Sequence, residues 1–205
     1  MKILLAPALI AVALAATAAS AETRNLSGFQ SVAAHDGVEV YVTQGEGFRV
    51  DVSGRDAERV RTEVRDHTLQ ISRRNLNWFG FNRDLSATVR VTMPVVEDLS
   101  AARGASLRAT DLRAGDLDLS AAMGADIEVS GTCRALSASA AMGASLDASA
   151  LVCSNADASA SMGADVNVNA TNAFEASASM GASISNSGNA THQDISSSMG
   201  GSVSN

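Results

Sequence analysis

Five methionines recur at nearly equal intervals in the second half of this 205-residue chain, and a glycine follows each of them. The pairs are Met123-Gly124, Met142-Gly143, Met162-Gly163, Met180-Gly181 and Met199-Gly200. Thioethers in a row can fill a core or offer soft donors to a metal such as Cu(I). Because apolar and polar residues alternate up to each methionine, the pattern predicts that the side chains point inward and fill the core. An exposed ridge that meets a partner and a soft-metal site are the alternatives, since Arg103 holds the same position in the first repeat.

The two cysteines, Cys133 and Cys153, each lie nine residues before a repeat methionine. On stacked repeats they would be neighbours, at a distance that a disulfide tolerates in an oxidising compartment. Two free buried thiols are the alternative. His35, His67 and His192 show no spacing that pairs a nucleophile with its base. We therefore predict no catalytic residue.

Two polar rows accompany the methionines. Acidic residues lie five places before the repeat position at Asp98, Asp118, Asp157, Glu175 and Asp194, and serines lie three places before it at Ser100, Ser120, Ser139, Ser159, Ser177 and Ser196. Stacked carboxylates repel one another, so a solvated face is the first interpretation and weak divalent-cation binding is the second. The serine row could order water, although it lacks the threonines that ice-binding solenoids favour. We assign no metal and no cofactor to these rows.

The segment RNLNWFGFNRDL concentrates three of the chain's seven aromatic residues, Trp78, Phe79 and Phe81. Its asparagine and glycine neighbours predict a loop. The rings are therefore a candidate partner surface. The alternative is that the loop folds down and caps the open end of the core.

The glycines of the repeat lie 18 to 20 residues apart, which is typical of a solenoid. They are Gly104, Gly124, Gly143, Gly163, Gly181 and Gly200. Each repeat has an apolar period of two on both sides of the Met-Gly pair, which predicts two short strands that meet there. The sequence predicts an all-β fold, a right-handed parallel β-helix (β-solenoid) with coils of about 19 residues. Six coils would span residues 99–205, and the many inward alanines imply a narrow core.

Residues 26–98 predict an antiparallel β portion that precedes the solenoid. GVEVYVTQ and FRVDVSG alternate apolar with polar residues on either side of QGEG, a pattern that predicts a hairpin. HTLQIS and ATVRVTM predict two more strands, the last of which Pro94 closes. RDAERVRTEVRD fits a helix, a strand or a loop equally well. Both portions together predict a single domain over residues 22–205.

The first 21 residues have the pattern of a secretory signal peptide. Lys2 precedes an apolar run from Ile3 to Ala16, and Ala19-Ser20-Ala21 is a small-residue cleavage site, so the mature chain would begin at Glu22. The run is too short for stable membrane insertion. No cysteine follows the site to carry a lipid anchor. We expect a periplasmic or secreted protein.

The charge distribution excludes nucleic acid as an expected partner. The chain has a net charge of −7, its only lysine is Lys2, and no arginine follows Arg134. Binding to phosphates needs clustered positive charge.

The run GFQSVAAHDGVEVYVTQGEGFRVDVSG, then VRDHTLQIS, then ATVRVTMPVVEDLSAARGASL, resembles the bacterial autotransporter-adhesin head GIN domain family over residues 26–205. The resemblance implies an exported β-helical stack and an adhesion-like or envelope-associated role, and it transfers no site residue. The chain differs from the family in placing methionine where a small polar residue is usual.

The expected partners are an envelope protein or a glycan, with end-to-end self-association of the solenoid as a further contact. A polysaccharide-acting, lyase-like enzyme and a cation-binding solenoid are the alternative functions. The first is disfavoured by short coils and by the lack of arginine beyond Arg134.

Overall fold

The computed structural model describes residues 21–74 and 86–205. Their strands join into one sheet that winds upon itself. The elements are β1 (Glu22–Arg24), β2 (Ser31–His35), β3 (Glu39–Gln44), β4 (Arg49–Gly54), a 3-10 helix (Ala57–Arg59), β5 (Val60–Arg65), β6 (Thr68–Arg73), β7 (Ala87–Met93), β8 (Asp98–Ala102), β9 (Ser106–Ala122), β10 (Asp126–Ala141), β11 (Ser145–Ser161), β12 (Asp165–Ala178), β13 (Ser183–Asn186), β14 (His192–Ser197) and β15 (Ser202–Ser204).

The long strands β9 to β12 stack in parallel, each one coil after the last. Leu107 of β9 is in register with Ile127 of β10, which is in register with Leu146 of β11. Strands β13, β14 and β15 continue the stack. The predicted all-β parallel solenoid is confirmed.

The long strands wrap around the core because their alternation of buried and exposed residues is interrupted. In β9, Thr110 and Asp111 are both exposed, and so are Gly115 and Asp116. Two successive exposed residues shift the inward set by one position, so the chain turns there and keeps its apolar residues inside. A single strand can therefore enclose the core on more than one side.

Each coil has a sharp bend at the Met-Gly pair, where both residues have positive φ. Met123 has φ 54° and Gly124 has φ 67°, and the N–H of Ala125 donates to the carbonyl of Ala122 at 3.3 Å. Positive φ at both central residues is the mark of a type I′ turn. Glycine adopts this conformation freely, whereas a residue with a Cβ is destabilised there by about 1–2 kcal/mol.

The bends are hydrogen-bonded to one another along the solenoid. In each bend the glycine N–H donates to the carbonyl of the methionine one coil later. The pairs are Gly104 to Met123 (3.2 Å), Gly124 to Met142 (3.1 Å), Gly143 to Met162 (3.1 Å), Gly163 to Met180 (3.1 Å) and Gly181 to Met199 (3.2 Å). The repeated glycines thus sit at positive-φ bends, as the period indicated.

Solenoid stacking begins earlier than the repeats, in residues that the sequence analysis placed among the N-terminal strands. Strand β2 is parallel to β8, and β3 is parallel to β9. Asp36 and Gly37 form the bend between β2 and β3, with φ 62° and 72°. The N–H of Gly37 donates to the carbonyl of Arg103 at 3.1 Å, as in the later bends.

The hairpin predicted around QGEG is wrong. Strand β7 lies between β3 and β4, parallel to the first and antiparallel to the second. Since β3 has β9 on its other edge, neither edge is free to pair with β4. Antiparallel pairing occurs at β1–β4, β4–β7 and β5–β6, so the N-terminal portion is mixed rather than antiparallel. Strand β7 ends at Met93, before Pro94, as predicted.

The core is continuous, but its composition changes along the axis. Its N-terminal part is built from branched and large side chains such as Val40, Leu69 and Val89. Its later part is built largely from alanines in register, such as Ala138 and Ala158. Within residues 21–74 and 86–205, no helix has the length and apolarity needed to cross a membrane.

Candidate functional site

The repeat methionines are exposed, so the prediction that they fill the core is wrong. Met123, Met142, Met162 and Met180 expose 45–48% of their surface and Met199 exposes 80%. The physical reason is the bend. Its two residues of positive φ reset the inward and outward alternation, so the position that simple alternation would bury points to solvent.

These five side chains form a row, which we call the methionine ridge: Met123, Met142, Met162, Met180 and Met199. Neighbouring strands in a sheet lie about 4.8 Å apart, so the hydrogen-bonded bends place a thioether at each such step. Two earlier bends carry charges in the same place. Arg103 pairs with Asp36 at 3.2 Å.

A shallow groove of about 260 Å³ runs beside the ridge across four coils. Its lining consists of small side chains: Ser120, Ala121, Ala122, Ser139, Ala140, Ala141, Ser159, Ala160, Ser161, Ser177 and Ser179. We call it the serine groove. Ser120, Ser139, Ser159 and Ser177 are in register on consecutive strands, so each coil presents a hydroxyl at the same height. Residues directly before the methionines line its ridge side.

The acidic row flanks the other side of the serine groove. Asp98 is in register with Asp118, and Asp157 with Glu175 and then Asp194, with Ser137 interrupting the row. Burial, and then the charge of Asp118, raise the pKa of Asp98 above its ordinary value. The row therefore carries repulsion at Asp98, and no ion pair with another described residue offsets it. Across the described ranges, no three His, Cys, Asp or Glu side chains are grouped so that they could hold a metal ion.

Cys133 and Cys153 are in register on β10 and β11, and the structure joins them in a disulfide with their Cα atoms 4.5 Å apart. Both are buried. The bond ties two adjacent coils together covalently, on a different segment of the strands from the serine groove.

The histidines do not come together. His35 lies beside the first bend, where burial and then Arg103 lower its pKa. His67 occupies the turn between β5 and β6, and His192 lies within hydrogen-bonding distance of the Thr191 hydroxyl at 3.0 Å, on β14. The candidate aromatic surface, Trp78, Phe79 and Phe81, lies outside the described residues.

A second groove, of about 530 Å³, was not anticipated from the sequence. It lies where the loop after Pro94 approaches the corner of β9, and it is lined by Gln44, Val95, Val96, Glu97, Arg113, Ala114, Gly115, Asp116 and Asp118. The amide of Gln44 accepts from the backbone N–H of Arg113 at 2.7 Å and donates to the carbonyl of Pro94 at 3.0 Å. These contacts explain Gln44 as a structural brace, so this groove offers less to a ligand than the serine groove.

The structure defines a class, the parallel β-solenoids whose coils stack on a mixed N-terminal sheet. A sequence model of the family described as "Putative auto-transporter adhesin, head GIN domain" matches residues 28–190. The chain belongs to this family.

Two solved structures share the fold. A putative adhesin from Bacteroides fragilis aligns with a TM-score of 0.72 at 16% identity, covering 92% of this chain and 97% of that one. A putative lipid binding protein from Parabacteroides distasonis aligns with a TM-score of 0.50 at 14% identity, with coverage of 92% and 97%. A comparison with curated proteins gave no match.

Proposed function

We propose that the chain is an exported, non-catalytic binding module whose serine groove holds an envelope partner, a protein or a glycan, in an adhesion-like role. The observation that carries the proposal is the groove itself. It presents the same small, hydroxyl-bearing floor on four successive coils, over about 260 Å³.

The family supports a role in adhesion rather than catalysis. Its description names adhesins, and the solved structure with a TM-score of 0.72 is called a putative adhesin. A family of this kind is consistent with an exported or surface protein.

The geometry favours an elongated partner. Serine hydroxyls both donate and accept hydrogen bonds, and here they recur at the strand spacing of about 4.8 Å. A polymer with regularly spaced polar groups, such as a polysaccharide or an extended peptide, would meet the same contact on each coil.

Two features support export. Glu22, the first residue after the predicted cleavage site, is also the first residue of β1, which pairs with β4. Cleavage after Ala21 would therefore keep all of β1 in the mature chain. The disulfide between Cys133 and Cys153 fits an oxidising compartment.

The test is the binding of fluorescently labelled residues 22–205 to cells of the producing bacterium. Ser159→Arg places a long cationic side chain in the middle of the groove. Ser154→Arg adds the same side chain at an exposed position elsewhere on β11 and is the matched control. We expect saturable binding that Ser159→Arg weakens at least tenfold and Ser154→Arg leaves unchanged.

Treating the cells first with protease or with periodate separates a protein partner from a glycan partner. Absence of saturable binding, or equal loss in both arginine variants, would contradict the proposal. The lyase alternative is tested in parallel, by incubation with acidic polysaccharides and measurement of chain cleavage. Turnover would replace the binding-module proposal.

A further inference from the structure

We propose that the methionine ridge binds a soft monovalent metal ion, Cu(I), between the thioethers of neighbouring coils. The proposal is independent of the serine groove, because it concerns the sulfur atoms and not the hydroxyl-lined floor.

The first step is the backbone. The five methionines have φ between 48° and 57°, a region that residues with a Cβ rarely adopt. Glycine, asparagine or aspartate would suit these bends better, and the chain itself places Asp36 at the equivalent first bend. Because the turn gains nothing from methionine, the repeated residue is explained by what its side chain does. Backbone outliers of this kind concentrate at functional sites.

The second step is spacing. Met142, Met162 and Met180 lie in hydrogen-bonded bends on adjacent coils, about one strand spacing of 4.8 Å apart. A methionine side chain has three rotatable bonds, so two neighbouring sulfurs can converge on a single ion. Each of the three residues exposes nearly half of its surface, so an ion in solution can reach the ridge.

The third step is donor chemistry. Thioethers are soft donors that select Cu(I), whereas Mg²⁺, Ca²⁺ and Mn²⁺ prefer oxygen. Thiolates would compete for a soft ion, but the two cysteines are bonded to each other. A thioether does not take up a proton near neutral pH, so affinity should be nearly the same at pH 6 and pH 8, unlike that of a histidine or cysteine site.

The fourth step is charge. Asp126 and Asp165 are both exposed, and each follows its methionine, Met123 or Met162, by three residues. The two aspartates alternate with serines in register on the strands that leave the bends. Together with the acidic row on the other side, they make the surroundings of the ridge negative, which favours a cation.

The experiment uses Ag(I), a soft ion that does not change oxidation state, as the first probe. Residues 22–205 are labelled with ¹³C-methyl methionine and titrated with Ag(I) in chloride-free buffer. We expect the methyl signals of the ridge to shift and that of Met93, which is fully buried, to stay in place. Unshifted ridge signals at a tenfold excess of Ag(I) would overturn the proposal.

The decisive variant is Met142→Leu/Met180→Leu, which keeps the apolar volume, removes two sulfurs and leaves no two neighbouring methionines on the ridge. Competition with a colorimetric Cu(I) chelator, at pH 6 and pH 8, should show at least tenfold weaker binding than wild type. Ser159→Arg keeps every sulfur of the ridge and should lose far less affinity than the leucine variant. Equal affinity of the leucine variant and wild type would overturn the proposal, as would a loss of affinity at pH 6 that tracks histidine protonation.

The two proposals fail separately. The leucine variant should keep its binding to cells, which also verifies its fold, while Ser159→Arg should lose cell binding and keep most of its Cu(I) affinity. If the leucine variant loses both activities and its circular dichroism differs from wild type, Met142→Gln/Met180→Gln replaces it, since these two side chains are exposed. Cu(I) affinity that is unchanged in this variant would reject the proposal.

Discussion

The N-terminal strands β1–β7 and the stacked coils β8–β15 solve the same packing problem with different sequences. In the first region, charged side chains pair individually across the surface, as Arg49 does with Asp51 and Arg61 and Arg65 do with Glu63. In the second region, similar side chains stack on one another along the axis. Arg108 still pairs with Glu128 and Arg134 with Asp116, but beyond Arg134 the sequence contains no lysine or arginine to pair with the acidic row.

The difference teaches what a repeated coil can and cannot do. In the first region the ion pairs differ from strand to strand, so no row of identical side chains forms on the surface. In the second region each coil repeats the same surface positions, so one residue type can form a row along the axis. The methionine ridge, the serine groove and the acidic row are three such rows. The backbone strain of the methionine bends and the repulsion between the carboxylates therefore also recur from coil to coil.

Backbone contact between coils should give the largest effect. A Cβ added at Gly131 would lie 2.1 Å from the carbonyl oxygen of Leu112 on the preceding coil. Gly131→Val should therefore lower the free energy of unfolding by about 3 kcal/mol or more, measured by denaturant titration.

Two other glycines are graded controls. A Cβ at Gly163 meets nothing within 4 Å, so only its φ of +69° opposes substitution, and Gly163→Ala should lose about 1–2 kcal/mol. Gly115 has neither restriction, and Gly115→Ala should change stability by less than about 0.5 kcal/mol. Equal losses at the three sites would mean that the coils do not approach as closely as the structure shows.

The disulfide should come next. It closes a loop with a sequence separation of 20 residues, and loops of this size are stabilised by about 3 kcal/mol. Cys133→Ala/Cys153→Ala should lose about this amount, with a denaturant midpoint that no longer responds to dithiothreitol. If reductant leaves the wild-type midpoint unchanged, the bond does not stabilise the coils.

The narrow alanine core should respond to added volume. Ala158 is fully buried and stacked between Ala138 and Ala176, so Ala158→Val should lose about 1–3 kcal/mol through overpacking. Ser159→Val, the outward neighbour, should stay within about 0.5 kcal/mol of wild type. A tolerated Ala158→Val would show that the alanine core of the later coils has room for added volume.

Carboxylates in the two regions should differ in the sign of a smaller effect. The pKa of Asp98 is raised, so its contribution to stability is present below pH 3.8 and is lost as pH rises through the folded pKa. Asp98→Asn should therefore raise the melting temperature at pH 7 and leave it unchanged at pH 3.

Asp51 is the opposite case and the control. The hydroxyl of Thr23, and then Arg49, lower its pKa, so its contribution is present above pH 3.8 and is lost as pH falls through the folded pKa. Asp51→Asn should lower the melting temperature at pH 7 only. Shifts of the same sign at pH 7 in both variants would remove the contrast between the regions.

The sequence predicted the solenoid because its signal is periodic. The glycines lie 18 to 20 residues apart and the apolar residues alternate with a period of two, and both patterns are visible in a single sequence. The equal offset of Cys133 and Cys153 from their methionines places the two cysteines side by side. The first coil escaped notice since Asp36-Gly37 occurs only once and is flanked by His35 and Val38, where most repeats have alanine or serine before the pair and alanine after it. The hairpin prediction is wrong because these strands pair with strands that are distant in the sequence, and such pairing has no signature in the local sequence.

The side of the sheet on which the methionines lie was missed for a local reason. The prediction extends the alternation of inward and outward side chains through Met-Gly, as in a straight strand. A residue followed by glycine between two alternating runs is, however, itself a signature of a positive-φ turn. Arg103 at the same position was the residue that pointed to exposure. The volume of the serine groove could not be predicted from the sequence, since it depends on how far the side chains of the methionine ridge and the acidic row project on either side of it.

The hydrogen bonds between the stacked bends determine how the solenoid would respond to a pulling force. Hydrogen bonds between coils point along the axis, so a pull at Asn205 along that axis would open them one coil at a time, from β15 toward β9. Each coil set free would add about 65 Å of extended chain. This stepwise extension would be interrupted at the disulfide, because the residues between Cys133 and Cys153 cannot extend while the bond is intact. Under load the solenoid would thus lengthen in steps, while the disulfide keeps the residues between Cys133 and Cys153 linked.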